Sequence, residues 1–252
     1  MRPASDVRTA FRLLADGLTQ AEVARHTGVS RATIRSWSRA GEAAVLSRRP
    51  AESPSVPCAE CPEAPVLPRP AYAYLLGQYL GDGYLSPNGA ALRLRVTCCD
   101  AYPGIMRECA DAITQVSGRP ARFARKVGCT DVSATWRHWP CVLPHGAGPK
   151  HARPIVLRPW QRAAAIDEHP GPFVRGLIHS DGCRVLNRVV VRGKPYAYPR
   201  YFFTNLSADI RGLFLDACAR LDVVARHSSP ITVSVARRAS VTRLDAVVGP
   251  KA

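Results

Sequence analysis

Apolar side chains recur at helical spacing through the first forty residues. Thr19 stands three residues before Glu22, the spacing of a capping box, and Ser30 offers a second N-cap. Gly28 lies between the two caps, where a tight turn between helices favours positive φ. The pattern predicts three short helices. Its apolar positions are Phe11, Leu13, Leu14, Leu18, Val23, Ala24, Val29, Ile34 and Trp37.

The stretch TQAEVARHTGVSRATIRSW resembles a helix-turn-helix, with small Ala24 at the helix crossing and Gly28 in the turn. On the third helix this resemblance implies side chains that reach phosphates and base edges in a major groove. These are Arg31, Thr33, Arg35 and Ser36. The alternative is a small helical module that binds protein, since trihelical folds do not all bind DNA.

The helical pattern stops where the composition changes to Pro, Ala, Ser and Glu, which is typical of a linker. We therefore expect a helix-turn-helix domain over 1–41 and a linker over 42–70. The duplicated pattern described next predicts a first repeat over 71–172 and a second over 173–252.

Two later segments share one pattern, LLGQYLGDGYL from Leu75 and VRGLIHSDGCRV from Val174, and both contain Asp-Gly. If each forms a helix, residues with almost no side chain fall four apart on one face. These residues are Gly77 and Gly81 in the first helix, and Gly176 and Ser180 in the second. Two such faces can pack backbone against backbone.

Close packing of these helices would bring Asp82 and Asp181 together at their ends. We expect Gly83 and Gly182 to end the helices in the left-handed conformation. Two carboxylates side by side repel each other, and each opposes the dipole of its helix, so the pair needs compensation. A divalent cation would supply it. The simpler interpretation is that two Asp-Gly pairs make turns.

The duplication continues after each motif. Strand-like LRLRVTC is followed by CDAYPGIMRECADAI, and YPRYFFTNLS by ADIRGLFLDACARL. Asp100 precedes Cys109 by nine residues, and Asp209 precedes Cys218 by nine. Both halves thus run helix, strands, helix. The segments RLRV, VVVRGK and SVARR alternate apolar with basic side chains, which predicts sheets with one face on a core and one on a polyanion.

Composition narrows the class of partner. The 252 residues include 35 Lys and Arg against 19 Asp and Glu, a formal net charge of +16, which favours nucleic acid. At 46% apolar residues the chain can bury a core. It shows no secretory pattern and no apolar run that would span a bilayer, so we expect a cytoplasmic protein without membrane association.

LGQYLGDG and RGLIHSDG resemble the two signature motifs of single-chain LAGLIDADG homing endonucleases of the DOD type, over roughly Tyr72 to Lys251. The resemblance implies an α+β fold with two αββαββα repeats related by a pseudo-two-fold axis, and a monomer that acts as an internal pseudo-dimer. It implies that Asp82 and Asp181 are catalytic acids that bind Mg²⁺, with Gly81 and Ser180 completing the metal site. The implied reaction is site-specific, staggered cleavage of double-stranded DNA.

Some residues depart from the family motif, and the roles of others are harder to assign from the resemblance. Leu80 and His179 stand where the family often has Asp. For the basic residues that polarise the scissile phosphate, position relative to the last helix of each half favours Arg237 or Arg238 in one half and Lys150 in the other. Each of these could instead bind a backbone phosphate or face solvent.

The main alternative function is a non-catalytic DNA-binding regulator, because LAGLIDADG scaffolds joined to helix-turn-helix domains also resemble bacterial developmental transcription factors that do not cut. The presence of both acids, Asp82 and Asp181, favours the enzyme, since a regulator has no need of two repelling carboxylates in one cleft. In those regulators, moreover, the helix-turn-helix follows the repeats.

The nine cysteines are irregularly spaced, and we expect most of them to be small buried hydrophobic residues. Cys58 and Cys61 form CAEC and could be half of a structural Zn²⁺ site. The candidate partners are Cys98, Cys99, His138 and Cys141. For the segment from Trp136 to His151 we favour a structural loop, with Trp136 and Trp139 buried, over a metal site.

Overall fold

The structure, a computed structural model, describes residues 4–47, 61–89, 91–144, 146 and 148–251. Contacts divide the chain into two compact units, Met1–Glu52 and Ser53–Ala252. In the described part of the chain, no helix has both the length and the apolar character that crossing a bilayer requires.

The first unit is helical, with α1 at Ala4–Ala15, α2 at Gln20–Thr27, α3 at Arg31–Ala40 and α4 at Glu42–Ser47. Its small core is built from Ala10, Val23, Val29 and Ile34, of which the apolar spacing predicts all but Ala10. Helix α4 adds a fourth helix, inside the range for which the sequence predicts a linker, and it packs against α1 and α3.

Local capping predictions for this unit are confirmed. Thr19 and Glu22 form a capping box at the start of α2, and Gly28 ends that helix with φ of 64°. The Ser30 side chain accepts a hydrogen bond from the backbone N–H of Thr33 and so caps α3. These interactions lie within three residues along the chain, which is why sequence alone predicts them.

The second unit contains the αββαββα order twice, which confirms the predicted fold class. The first copy consists of α5 (Arg69–Asp82), β1 (Gly83–Asn88), β2 (Ala91–Cys99), α6 (Pro103–Ser117), β3 (Arg122–Lys126), β4 (Cys129–Trp136) and α7 (Trp139–Val142). A 3₁₀ turn at Lys150–Ala152, helix α8 (Pro159–Arg162) and a π-helical segment at Ala163–Glu168 connect the copies. The second copy consists of α9 (Pro170–Asp181), β5 (Gly182–Val191), β6 (Lys194–Thr204), α10 (Ala208–Arg220), β7 (Arg226–Ser229), β8 (Thr232–Val235) and α11 (Arg238–Val248).

The two sheets have the same topology. Their strand orders are β1-β2-β4-β3 and β5-β6-β8-β7, and all neighbouring strands are antiparallel. Cys109 on α6 and Cys218 on α10 are both fully buried, so the matched spacing in the sequence reflects matched packing. The second unit is therefore a pseudo-symmetric pair of repeats with one continuous core.

Helices α5 and α9 pack against each other along a glycine-lined seam. A Cβ atom on Gly77 would lie 2.5 Å from the carbonyl oxygen of Phe173 and 2.8 Å from the backbone nitrogen of Leu177. One on Gly176 would clash with the carbonyl oxygen of Tyr74. The predicted backbone-to-backbone packing is thus present, and it requires the absence of side chains at these positions.

The expected left-handed ends of the two motif helices are wrong. Gly83 has φ of −82° and ψ of 149°, and Gly182 has φ of −111° and ψ of 166°. Both are extended because the chain passes directly from each helix into a strand, without a turn. Glycine is needed here for space, since a Cβ on Gly83 would lie 2.7 Å from the carbonyl oxygen of Tyr79.

Candidate active site

The two motif aspartates end α5 and α9, and the seam brings them to the same end of the helix pair. The Oδ2 atom of Asp181 lies 3.3 Å from the point that a Cβ on Gly81 would occupy, next to Asp82 in the chain. Asn205 donates a hydrogen bond of 2.6 Å to the same Oδ2. Asp82 is exposed and Asp181 is half-buried, so the pair is open to a ligand.

The surroundings of the pair make its negative charge costly. Although Asp82 is exposed, partial loss of solvent around its carboxyl group raises its pKa to about 6, and the charge of Asp181 adds to the increase. Burial also raises the pKa of Asp181, while the hydrogen bond from Asn205 opposes that shift. Lys150 and Lys251 act on both carboxyls in the opposite direction. Two acids and two lysines therefore form one electrostatic cluster.

Lys150 lies against the end of α5. Its Nζ atom donates hydrogen bonds to the carbonyl oxygens of Tyr79, Gly81 and Gly83 at 2.5, 2.6 and 2.9 Å. A cation is favourable at a helix C-terminus, where carbonyl oxygens point outward and the helix dipole is negative. Burial lowers the pKa of Lys150 to about 8, although both aspartates oppose that change.

Lys251 has the equivalent position in the second repeat. Its Nζ atom donates to the carbonyl oxygen of Gly182 at 2.6 Å and to that of His179 at 3.1 Å. Burial lowers its pKa. Lys251 is not among the residues predicted from the sequence, although the sequence contains a signal for it. The tripeptide Gly-Pro-Lys occurs at 148–150 and again at 249–251, and each lysine follows its motif aspartate at nearly equal distance, 68 residues for Lys150 and 70 for Lys251.

The structure places the two candidate arginines elsewhere. Arg237 and Arg238 are exposed at the beginning of α11, whereas Lys251 follows the end of that helix. The cations that shift the pKa of Asp82 are Lys150 and Lys251, not these arginines. Arg237 and Arg238 remain candidates for contacts with a DNA backbone.

The two residues that precede the aspartates have protein partners. The carbonyl oxygen of Gly81 accepts the hydrogen bond from Lys150. Ser180 Oγ donates to the carbonyl oxygens of Gly176 and Leu177, both at 3.0 Å, within its own helix. The two aspartates therefore offer the more accessible oxygen atoms of the predicted set, and Gly81 and Ser180 stay predictions.

His179, which departs from the family motif, belongs to a buried network across the seam. Its Nδ1 atom is 3.2 Å from the hydroxyl of Tyr74, which accepts a hydrogen bond from Gln78 at 2.8 Å. Its Nε2 atom is 3.2 Å from the carbonyl oxygen of Val248. Burial, together with the charge of Arg175, lowers the pKa of His179 to about 4, so the ring is neutral and links α5, α9 and the end of α11.

The aspartates and lysines together offer a chemically coherent site. Carboxylate oxygens are the ligands that Mg²⁺ prefers, and two neighbouring carboxyl groups whose pKa values are both raised by loss of solvent suit a divalent cation. The residues present thus fit the implied metal. The two lysine ammonium groups supply part of the compensating charge that was expected from a divalent cation.

Basic side chains cover the sheet faces that point away from the helices. In β2 the buried residues Leu92 and Leu94 alternate with Arg93 and Arg95, which lie on the opposite face. Arg95 is in register with Ser133, which also pairs with Arg122 of β3, so three basic residues share this face. The predicted division into a core face and a basic face is present in the first sheet.

The second sheet repeats this arrangement less regularly. Arg200 on β6 and Arg226 on β7 both lie next to Ser234 of β8, on the face opposite buried Val233 and Val235. Arg184, by contrast, forms a bidentate ion pair with Asp245 at 2.7 and 3.0 Å. Its charge is therefore partly neutralised.

Three of the four side chains predicted to read DNA on α3 face solvent: Arg31, Arg35 and Ser36. Thr33 is half-buried, and its Oγ1 lies 2.8 Å from Ser30 Oγ in the cap of the helix. Thr33 therefore has a structural contact as well, and its predicted role in DNA binding remains a prediction.

Comparison with known proteins finds resemblances to both units. Residues 5–45 match the family model of a homeodomain-like domain, HTH_23. Among solved structures, the chain is similar to mesophilic variants of the homing endonuclease I-DmoI, at 12% identity over 72% of this chain and 97% of that one, with a TM-score of 0.46.

Two other solved structures show comparable similarity. The N-terminal LAGLIDADG domain of DUF199/WhiA is 11% identical over 73% of this chain and 83% of that one, with a TM-score of 0.47. The meganuclease I-SmaMI bound to uncleaveable DNA is 8% identical over 68% and 80%, with a TM-score of 0.46. Comparison with curated proteins gives no match.

Proposed function

We propose that this protein is a site-specific endonuclease that binds double-stranded DNA and hydrolyses its phosphodiester bonds with Mg²⁺. The observation that carries this proposal is the cluster at the end of the glycine seam. There Asp82 and Asp181 meet, and Lys150 and Lys251 hold matching positions behind them.

The proposed roles follow from this geometry. Asp82 and Asp181 would hold the metal ion, and Asn205 fixes the orientation of the Asp181 carboxylate. When bound, Mg²⁺ acts as a Lewis acid that lowers the pKa of a coordinated water and stabilises a leaving oxygen. All three N–H groups of the Lys150 ammonium bond to carbonyl oxygens, so Lys150 acts on a phosphate through its charge.

We assign DNA binding to two surfaces, the basic sheet faces and α3. The arginines on the sheet faces would neutralise backbone phosphates, a contribution that depends little on sequence. The exposed side chains of α3 would add contacts with base edges. The net charge of +16 favours association with any polyanion, so specificity must come from shape and base contacts.

A non-cutting DNA-binding regulator is the second candidate, and one observation favours it. The two ammonium groups already offset the repulsion between the aspartates and bind the helix-end carbonyls. The four charges could therefore serve only to hold the repeats together. In that case the protein would bind DNA without Mg²⁺ and leave it intact.

Cleavage distinguishes these functions. The purified full chain is incubated with a plasmid library that carries its own genomic flanking sequences, with and without Mg²⁺, and cut molecules are sequenced. We expect double-strand breaks at one site in the presence of Mg²⁺. Asp82→Asn and Asp181→Asn should each reduce the cleavage rate by about 100-fold or more, because each removes a metal-binding charge, while gel-shift affinity for the same DNA is retained.

Asp222→Asn provides the matched control. Asp222 is exposed and has φ of 50°, a conformation that Asn adopts readily, and it lies outside the site. Cleavage by this variant should equal that of the unmodified chain. Specific binding without cleavage by the unmodified protein would reject the nuclease in favour of the regulator.

A further inference from the structure

Three side chains that the proposed endonuclease function does not use meet elsewhere in the second unit. Cys61 precedes α5, and His138 and Cys141 lie at the start and within α7. The ligand atoms of all three lie within 4.8 Å of one another. Cys61 Sγ and His138 Nδ1 are 3.0 Å apart. From this geometry we propose that Cys61, His138 and Cys141 bind a structural zinc ion.

The contact between Cys61 and His138 fits zinc after a small adjustment, and no two of the three ligand atoms are more than 4.8 Å apart. Zinc binds thiolate sulfur at about 2.3 Å and imidazole nitrogen at about 2.0 Å, so neighbouring ligand atoms of a tetrahedral site lie about 3.5 Å apart. The Cys61 and His138 atoms need to separate by about half an ångström from their 3.0 Å contact. Cys61 precedes the first turn of α5 by eight residues, so the chain there can move by that amount without disturbing the helix.

The other two ligands are held in place by the fold. Cys141 is 3% exposed, and its carbonyl oxygen accepts a hydrogen bond of 3.2 Å from Arg158. Trp139, between the ligands, is fully buried and donates from Nε1 to the carbonyl oxygen of Ala134 at 3.1 Å. The turn of α7 thus presents His138 and Cys141 from a fixed backbone, as structural zinc sites require.

The ligand types decide which metal binds. Thiolates and imidazole select zinc over Mg²⁺, which prefers oxygen, so this site and the aspartate pair would hold different ions. Zinc on Nδ1 of His138 puts the ring proton on Nε2. The exposed Arg137 side chain, which donates to Nε2 at 2.9 Å, therefore has to rotate. The two thiols lose their protons on binding.

Zinc here would join distant parts of the chain. Cys61 and His138 are 77 positions apart, and the ion would fasten the segment before α5 to the end of the first repeat. Cys58, the other half of CAEC, lies outside the described residues. We assign only the three ligands that the structure describes.

The test measures metal in the full chain, purified from cells grown with zinc and without chelators. Elemental analysis should give about one zinc per chain. Cys61→Ser and Cys141→Ser should each reduce the zinc content at least about tenfold, because each removes a thiolate ligand. Cys129→Ser, the matched control on strand β4, and Asp82→Asn should retain the zinc.

A second measurement, made on the unmodified chain, tests the proposal even if the cysteine variants fail to fold. A chelator added to the unmodified chain should remove the zinc and lower the melting temperature, and added Zn²⁺, but not Mg²⁺, should restore it. Cobalt substitution should give an absorption band from thiolate-to-metal charge transfer, absent from Cys61→Ser. A full complement of zinc in both cysteine variants, or no zinc in the unmodified chain after dialysis against Zn²⁺, would overturn the proposal.

Discussion

At the scale of single residues, ionisation of Asp82 lowers the stability of the folded protein. When an acid has a higher pKa in the folded protein than in the unfolded chain, its ionisation makes the protein less stable. This loss of stability is complete once the pH has risen through the pKa of the folded state. For Asp82 that value is about 6, against an ordinary 3.8. Without a divalent ion, the ionised Asp82 therefore lowers stability above pH 6, and protonation of the folded form relieves the cost between about pH 6 and 4.

Asp82→Asn should therefore stabilise the protein in buffer without divalent ions. Above pH 7 we expect a gain of about 0.5 kcal/mol in the free energy of unfolding, a small value because Asp82 is exposed and solvent screens its charge. The gain should shrink below pH 6 and vanish near pH 4. Thermal melts across this range check it, with Asp222→Asn as the control.

Added Mg²⁺ should make the unmodified protein more stable than Asp82→Asn. It binds only the folded form of the unmodified protein, and so raises its melting temperature without affecting Asp82→Asn. Equal melting temperatures of the unmodified protein and Asp82→Asn at pH 8, with and without Mg²⁺, would show that the aspartate pair neither costs stability nor binds the ion.

The sequence predicted the acids of this cluster better than its bases. Asp82 and Asp181 stand within repeated motifs, so local pattern and duplication both mark them. Lys251 was missed because its partners are the carbonyl oxygens of His179 and Gly182, which lie 72 and 69 residues earlier in the chain. Arg237 and Arg238 were chosen by their position relative to the last helix of the second repeat, but they lie at the beginning of that helix, whereas Lys251 follows its end.

At the scale of elements, the α5–α9 seam depends on its glycines. Gly176→Ala would push a methyl group into the carbonyl of Tyr74, and neither helix can move away without disturbing the core on both sides. We expect a loss of about 1–3 kcal/mol, the usual cost of overpacking. Urea denaturation of the full chain measures it.

Gly212→Ala is the control variant for Gly176→Ala. Gly212 lies within α10, and nothing stands within 4 Å of a Cβ there. Alanine is a better helix former than glycine, so this variant should gain about 0.5–1 kcal/mol. If both alanine variants shift stability in the same direction, the backbone-to-backbone seam does not exist in solution.

Elements were predictable where their causes are local. The caps of α2 and α3 depend on residues within three positions of each other. In β2, buried apolar side chains alternate with more exposed ones along consecutive residues. Strand order is different, since placing β4 between β2 and β3 requires pairs such as Arg95 with Ser133, far apart in the chain. The π-helical segment at Ala163–Glu168 carries no pattern that would have predicted it.

At the scale of the whole molecule, duplication was the most informative feature of the sequence. It predicted two repeats with matching order, and the identical strand orders of the two sheets confirm it. Net charge was less informative, because a charge of +16 indicates a polyanion without indicating which surface binds it. That assignment needs variants that change charge equally at different places.

Such variants exist within the helical unit. Arg31→Ala with Arg35→Ala removes two exposed charges from α3, and Arg8→Ala with Arg12→Ala removes two from α1. If α3 contacts DNA, only the first pair should weaken binding of the full chain. The slope of log affinity against log salt should become shallower by about 2, because two fewer phosphates are neutralised.

Titrations at several salt concentrations, using one DNA fragment that carries the cleavage site, measure both quantities. Equal losses for the two pairs would mean that DNA responds only to net charge, and α3 would then have no assigned role. No loss for either pair would place all of the binding on the second unit. A loss confined to Arg31 and Arg35 would make α3 a second contact with the same DNA, separate from the sheet faces around Asp82 and Asp181.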